Sequence, residues 1–360
     1  MTRKVSVGKV DIGGGSPVSV QSMTNCDTRD TSKLVRDIKA MLEAGADIVR
    51  VTVPDFEAAE SLGKAKRRLR EENADIPIVA DIHFDHRLAI SAVENGADKI
   101  RINPGNIGGK AKIKAVADAA RAAGIPIRVG VNAGSLEKDI VEKYGGISAK
   151  GLTESALRNA EILEDAGFSD IVLSLKASNV RLCVDAYREI SKLSDYPLHI
   201  GITEAGTESF GIVKSSVGIG SLLLSGIGDT LRVSLTGDPL KEIKLGRQIL
   251  EACGLRKPSL EIVSCPTCGR TEVELERIVN EAEIALSEVA KEREKAGKRG
   301  LKAAIMGCVV NGPGEAGDAD FGAACGKGRA AIFKGGKVVE SVAEDEIVPA
   351  LLRIAREFDE

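Results

Sequence analysis

Eight times before residue 237 the chain runs from an apolar, β-branched stretch through a polar or glycine-rich turn towards an amphipathic helix pattern. Few folds admit that rhythm. The strand patterns are Val18–Met23, Asp47–Val53, Ile76–Asp81, Lys99–Asn103, Ile125–Asn132, Asp170–Lys176, Leu198–Thr203 and Thr230–Thr236. Helical periodicity fills the gaps at Ser32–Ala44, Phe56–Glu72, Arg87–Asn95, Gly109–Ala123, Thr153–Ala166, Asn179–Leu193 and Val213–Leu224, and another helix follows at Pro239–Ala252. Strand–helix alternation requires a parallel sheet, and eight units predict a closed (β/α)8 TIM barrel, with an open doubly wound sheet as the alternative. An internal echo supports the repetition: Gly45-Ala-Asp-Ile-Val-Arg50 returns as Gly96-Ala-Asp-Lys-Ile-Arg101, and more weakly as Gly167-Phe-Ser-Asp-Ile-Val172. In each, a glycine is placed to end a helix in a left-handed cap before the next strand.

The rhythm stops after Gly254. A Cys-Pro-Thr-Cys turn, a long charged helix (Glu272–Lys298), a short strand (Lys302–Met306), a glycine-rich loop and a final strand–helix segment (Ala330–Glu357) follow. Residues 1–253 are therefore expected to form the barrel and residues 254–360 a smaller α+β domain, with the boundary in Cys253-Gly-Leu-Arg-Lys-Pro258.

Composition narrows the function classes. With 43% hydrophobic and 29% charged residues the chain has the balance of a soluble globular protein. A formal net charge of −3 and a pI near 5.9 exclude a surface that tracks nucleic acid as a whole. There is no Trp, and three Tyr with seven Phe are too few for an aromatic platform on single strands. No stretch reaches the roughly 18 apolar residues of a membrane helix. The start, Met1-Thr-Arg-Lys-Val-Ser-Val7, lacks the apolar run of a signal peptide, so a cytoplasmic protein is expected. In that reducing compartment the seven Cys read as thiols, ligands or nucleophiles rather than a disulfide framework.

Strand phase predicts what points into the barrel mouth, because residues two apart share a side. Arg50 pairs with Thr52, Asp81 with His83, Arg101 with Asn103, Arg128 with Asn132, Ser174 with Lys176, and Arg232 with Ser234. Polar groups from six strands thus reach one side near the C-terminal strand ends, where this fold carries its active sites. Five of them, Arg50, Arg101, Arg128, Lys176 and Arg232, are cations. So many positive charges around one opening need an anion, and guanidinium forks suit phosphate oxygens. The competing assignment is outward salt bridges to the surrounding helices. Asp81, His83 and Glu204 add groups able to move protons or hold substrate hydroxyls. His86, in a turn, and His199, inside a strand, read as structural. The loop Asn103-Pro-Gly-Asn-Ile-Gly-Gly109 is either an ordinary turn or a backbone cradle for phosphate.

Cys265-Pro-Thr-Cys268 puts two thiols on one turn, and Cys308 follows in Met306-Gly-Cys-Val-Val-Asn-Gly-Pro-Gly-Glu315. This pattern suits an iron–sulfur cluster; structural zinc and a redox dithiol are the alternatives. The fourth ligand stays open between Cys325 and Glu315. Cys183 and Cys253 fall in amphipathic helices and read as packing residues.

Beyond these single motifs, ordered blocks along the whole chain resemble the 4-hydroxy-3-methylbut-2-enyl diphosphate synthase (GcpE or IspG) family. They are Val20-Gln-Ser-Met-Thr-Asn25, Asp27-Thr-Arg-Asp30, Val79-Ala-Asp-Ile-His-Phe84, Ile100-Arg-Ile-Asn-Pro-Gly-Asn106, Gly130-Val-Asn-Ala-Gly134, Lys176-Ala-Ser-Asn179, Thr203-Glu-Ala-Gly206, Gly226-Ile-Gly-Asp-Thr230, Ser264-Cys-Pro-Thr-Cys-Gly-Arg270 and the Met306–Glu315 segment. The length resembles the two-domain bacterial form.

The resemblance implies one [4Fe–4S] cluster per chain on Cys265, Cys268 and Cys308, with Glu315 as the fourth ligand in place of Cys325. It implies 2-C-methyl-D-erythritol 2,4-cyclodiphosphate as substrate, ferredoxin or flavodoxin as electron donor, and a linear allylic diphosphate of the methylerythritol phosphate route to isoprenoids as product. Glu204 and Glu315 become the catalytic carboxylates. Arg50, Asp81, His83, Arg101, Asn103, Arg128, Asn132, Lys176, Ser178, Arg232 and Ser234 become the substrate shell. The same resemblance implies a head-to-tail homodimer, with neither nucleic acid nor membrane as partner. Cys26 stands where the family usually has Thr, so neither Cys26 nor Cys325 is expected to be essential.

Overall fold

A computed structural model describes residues 1–308 and 317–358. Glu315 and most of the glycine-rich loop expected after Cys308 lie outside the described residues. The chain divides into two compact units, Met1–Arg256 and Lys257–Glu360.

The first unit opens with an antiparallel hairpin, β1 (Val5–Val7) and β2 (Val10–Ile12). Eight parallel strands follow: β3 (Ser19–Met23), β4 (Ile48–Thr52), β5 (Ile78–Asp81), β6 (Lys99–Ile102), β7 (Ile127–Asn132), β8 (Ile171–Lys176), β9 (His199–Ile200) and β10 (Thr230–Leu231). Their order is β8-β7-β6-β5-β4-β3-β10-β9. A parallel bridge from Leu173 to Leu198 joins the two ends, and the Leu173 N–H donates to the Pro197 carbonyl at 2.9 Å. The sheet is a barrel rather than an open one.

Alternation along the strands builds two interiors. Val49, Val51, Ile78, Ala80, Ile100, Ile102, Ile127, Val129, Leu173 and Leu175 pack outwards with the helices in one apolar cluster. In the opposite phase, Ile48, Val79 and Val172 meet Val5, Val7 and Ile12 of the hairpin in a separate cluster. The hairpin thus plugs the barrel from one end. Apart from Gly130, the remaining buried strand residues of that inner phase are polar: Ser19, Gln21, Arg50, Asp81, Lys99, Arg128, Ser174, Lys176, His199 and Thr230.

The repeated Gly-Ala-Asp motif has a mechanical reason. Gly45 (φ +93°) and Gly96 (φ +86°) take left-handed conformations that end the preceding helices. Two residues on, Asp47 accepts the Val20 N–H at 2.7 Å and Asp98 accepts the Ile78 N–H at 2.7 Å. Asp229, in Gly226-Ile-Gly-Asp229, does the same for Leu198 at 2.8 Å. Each carboxylate ties the foot of its own strand to the strand beside it.

Some elements depart from expectation. The helix Lys138–Tyr144 has no counterpart in the expected pattern, and Ala149–Asp165 begins a turn early because the Ser148 hydroxyl accepts the Gly151 N–H at 3.1 Å. His86 opens the helix His86–Glu94 instead of lying in a turn.

The second unit is a five-stranded sheet, β11 (Leu260–Ser264), β12 (Leu301–Met306), β13 (Phe321–Gly326), β14 (Arg329–Lys334) and β15 (Lys337–Ala343), paired in that order. The first three are parallel and the last three antiparallel. Helices Leu275–Lys295 and Ile347–Arg356 pack on it through Ile278, Leu286, Ile347 and Leu351. Where a single strand is expected after Ala330, the structure has a hairpin. Its turn, Gly335-Gly336, takes φ +55° and +75°, the left-handed pair a tight hairpin needs.

Candidate functional site

Arg101 and Lys176 stand at the C-terminal ends of β6 and β8, Arg50 lies midway along β4, Arg128 is the second residue of β7 and the register partner of Arg101, and Arg232 follows β10. Arg50, Arg128 and Lys176 are buried. Asp81 pairs with two of the cations, its carboxylate lying 3.9 Å from Arg50 Nε and 3.3 Å from Arg101 Nη1. Arg50 also donates to Met23 Sδ, and Arg128 Nη1 donates to Ser174 Oγ at 3.3 Å. Arg128 Nε and Nη2 and Arg101 Nε have no protein partner. A methyl group on Gly130 would come within 2.5 Å of Arg101 Nε, so the glycine on β7 makes the room that the side chain from β6 occupies.

Electrostatics reinforce the geometry. Burial lowers Arg50 to about 10, with Arg232 and Arg101 pushing further down and Asp81 opposing them. Burial, Arg128, Arg232 and Arg50 hold Lys176 well below the ordinary lysine range. Burial alone would raise Asp81, but Arg50, Arg101, Arg128 and His83 outweigh it and its carboxyl is depressed. Among the described residues these five cations form ion pairs with two carboxylates, Asp81 and Glu242. Such an arrangement is one that an anion can complete.

Arg232 is the exception to a purely inward reading. Its guanidinium contacts Glu242 at 3.3 and 3.4 Å while remaining electrostatically coupled to Arg50 and Lys176. Glu242 is buried on the helix Pro239–Ala252 and also accepts from Ser22 Oγ at 2.6 Å and the Leu235 N–H at 3.0 Å. It positions Arg232, and sequence reasoning missed it because Ser22 and Glu242 lie far apart in the chain.

Of the other expected site residues, Asn132 is the last residue of β7 and His83, Asn103, Ser178, Glu204 and Ser234 lie past the strand ends. His83, Ser178 and Glu204 are exposed, and Asn103, Asn132 and Ser234 are half-buried. Glu204 has φ +51°, a rare conformation for a residue with a side chain. The loop after β6 is a short helix, Pro104–Ile107, capped by Asn103. Its Gly105 N–H is shared by Asn103 Oδ1 at 3.1 Å and Asn159 Oδ1 at 2.9 Å, so that amide is not available to cradle phosphate.

In the second unit the CxxC turn meets the end of β12. Cys265 Sγ accepts the Gly307 N–H at 3.2 Å, and the Glu272 N–H donates to the Gly307 carbonyl at 3.2 Å. A Cβ on Gly307 would press to 3.0 Å against the Thr271 and Leu275 side chains, so glycine eases the close approach. Cys268 is exposed and Cys308 buried. The backbone and side chain of Arg270, with Thr271, lower the Cys268 thiol, and Arg270 is itself raised, chiefly by its bond to Cys268. Sulfur-directed amides and a nearby cation favour thiolates, as cluster binding requires. Cys325 faces the apolar core beside Phe321, Ala323 and Ile332, and burial pushes its thiol up to about 11. Among the described residues no three His, Cys, Asp or Glu side chains gather closely enough to hold a single metal ion. No helix among the described residues is long and apolar enough to cross a membrane.

Comparison with known proteins covers both units. The GcpE TIM-barrel domain matches residues 2–247, and the GcpE protein C-terminal domain matches residues 261–357. A protein of Clostridium acetobutylicum, named 4-hydroxy-3-methylbut-2-en-1-yl diphosphate synthase (flavodoxin), is 54% identical over 352 residues, covering 98% of this chain and 97% of its own. A protein of the same name from Caldanaerobacter subterraneus subsp. tengcongensis is 54% identical over 353 residues, covering 98% and 96%. Among solved structures, the Yersinia pestis dihydropteroate synthase superposes with a TM-score of 0.51 at 13% identity, over 71% of this chain and 98% of that one. The Thermus thermophilus dihydropteroate synthase gives 0.50 at 17%, over 70% and 98%. At that identity the likeness is one of fold alone.

Proposed function

The chain belongs to the GcpE family, and we propose that its barrel mouth binds 2-C-methyl-D-erythritol 2,4-cyclodiphosphate for reductive ring opening and dehydroxylation to 4-hydroxy-3-methylbut-2-enyl diphosphate. One observation carries the substrate assignment: Arg50, Arg101, Arg128 and Lys176 crowd a buried mouth in which Asp81 is shared by two of them. A diphosphate supplies the missing negative charge.

Within this reading the arginines and Lys176 hold the two phosphoryl groups. Asp81, His83, Asn103, Asn132, Ser178 and Ser234 orient the carbon skeleton and its hydroxyls. Glu204, on its strained loop, delivers the proton with which the tertiary hydroxyl leaves as water. Cys265, Cys268, Cys308 and Glu315 hold one [4Fe–4S] cluster per chain; when bound, it supplies the two electrons, received from reduced flavodoxin or ferredoxin. The Gly307 amide on Cys265 and the Arg270 charge beside Cys268 suit that group. A cytoplasmic homodimer, arranged head to tail so that the cluster unit of one chain serves the barrel of the other, completes the proposal.

The test is anaerobic turnover of the cyclodiphosphate with reduced flavodoxin, together with iron and sulfide analysis. Cys265→Ser, Cys268→Ser and Cys308→Ser should each lose most of the iron and the activity, whereas Cys325→Ser, which faces the core, keeps both. Stoichiometric zinc without sulfide, or full activity in the Cys308→Ser protein, would overturn the reading.

A further inference from the structure

Below the mouth the barrel interior holds a second polar layer that the proposed reaction leaves unused. Lys99 precedes Arg101 by two residues on β6 and so shares its inward phase. It has no exposure, and its Nζ has no hydrogen-bond partner among the described residues. Around the same interior, both ring nitrogens of His199, both side-chain atoms of Gln21, Ser19 Oγ and Thr230 Oγ1 are likewise buried and unpartnered. Thr230 is the register partner of both His199 and Ser19, which places those three at one level.

An ammonium group cannot persist in that position without an anion or an acceptor. The charged groups that Lys99 feels are Arg128 and Arg50, and those that His199 feels are Arg128, Lys176, Lys99 and Arg50; all are basic. Asp81 is committed to Arg50 and Arg101. If the layer were only a plug, an apolar residue would serve, as Ile48, Val79 and Val172 do against the hairpin.

We infer that Lys99 is a reserve cation, an uncharged amine in the empty barrel that takes a proton from solvent when a diphosphate enters above it. The inference rests on the diphosphate reading of the mouth. The entering anion reverses the field of the arginines, and an added proton on Nζ then lowers the energy of the complex. His199, Gln21, Ser19 and Thr230 are further unpartnered polar groups of the same barrel interior. Burial and the neighbouring guanidiniums hold the free amine well below the ordinary lysine range, in agreement with the geometry. Lys99 is a positioning residue, acting on the substrate through charge alone.

The experiment is anaerobic calorimetry of the intact enzyme with the cyclodiphosphate, in buffers of different ionisation enthalpy, from pH 7 to pH 9. Each phosphoryl group of this ligand has one strongly acidic hydroxyl, so its own charge is constant there. The wild-type protein should take up protons on binding, with affinity falling about tenfold per pH unit for each proton gained. Lys99→Met and Lys99→Gln should lose about one proton of that uptake and the matching part of the slope, and Lys99→Met should melt higher than wild type when unliganded. A merely structural lysine would change the melting temperature and leave proton uptake intact. Equal uptake in wild type and variants overturns the inference. Tight binding to wild type with no proton uptake overturns it without any variant having to fold. Failure of wild type to bind the cyclodiphosphate overturns the mouth reading first, and this inference with it.

Discussion

Glu204 holds a backbone conformation, φ +51°, that costs a side-chain-bearing residue about 1–2 kcal/mol. Glycine would remove that cost, so a functional reason for glutamate should appear as a trade of stability against turnover. Glu204→Gly is expected to melt at the same or a higher temperature and to be inactive. Glu204→Gln keeps the shape and should bind substrate but not turn it over; activity within tenfold of wild type would remove the carboxyl from the reaction. Asp81 gives a second prediction at this scale. It faces Arg50 and Arg101 in a buried site, so Asp81→Asn should cost roughly 3–5 kcal/mol by leaving guanidiniums unpaired. Its folded carboxyl lies below the ordinary value, which fixes the sign. The stabilisation is fully present above about pH 4 and disappears as pH falls through the lowered folded value. Acid unfolding of wild type and variant should therefore converge at low pH. Curves that stay parallel throughout would show that Asp81 does not carry the effect.

At the scale of the element, inward residues are legible from alternation because every barrel strand has the same two-sided environment. That is how Arg50, Arg101, Arg128 and Lys176 stand out in the sequence. Lys99 and His199 obey the same phase but do not stand out, because position along a strand does not say where mouth ends and plug begins. The hairpin of Val5, Val7 and Ile12 sets that level, and nothing in β6 or β9 announces it. β13 escapes the sequence for another reason: Phe321-Gly-Ala-Ala-Cys-Gly326 is a strand of small residues, with its pairing imposed by neighbours on both sides. Gly130 shows how one element makes room for another. Gly130→Ala places a methyl group 2.5 Å from Arg101 Nε, and the flexible side chain rather than the strand should yield. Substrate affinity is then expected to fall by roughly 1.5–3 kcal/mol, the worth of a charged hydrogen bond. Far-UV dichroism should stay native. Unchanged affinity in calorimetry would mean that Arg101 does not hold the diphosphate.

Across the whole molecule the chemistry is divided. The cations and Glu204 belong to the unit Met1–Arg256, and the three thiols to the unit Lys257–Glu360. Under the proposed function every turnover needs both sets, and the proposed head-to-tail homodimer supplies them from different chains. Two inactive variants separate that arrangement from one contained in a single chain. Arg128→Met disables the barrel mouth and leaves the thiols; Cys308→Ser removes a thiolate and leaves the barrel. Co-expressed with different affinity tags, the two chains yield a heterodimer that can be purified through both. If each barrel is served by its partner, one site of the heterodimer combines two defects and the other combines two intact halves. About half of the wild-type activity per dimer should then return, since a two-fold dimer has two equivalent sites. If each barrel is served by its own chain, both sites carry one defect and the heterodimer is as inactive as its parents. An inactive heterodimer that binds cyclodiphosphate and contains iron would overturn the head-to-tail proposal, and a protein that stays monomeric at every concentration would do so sooner.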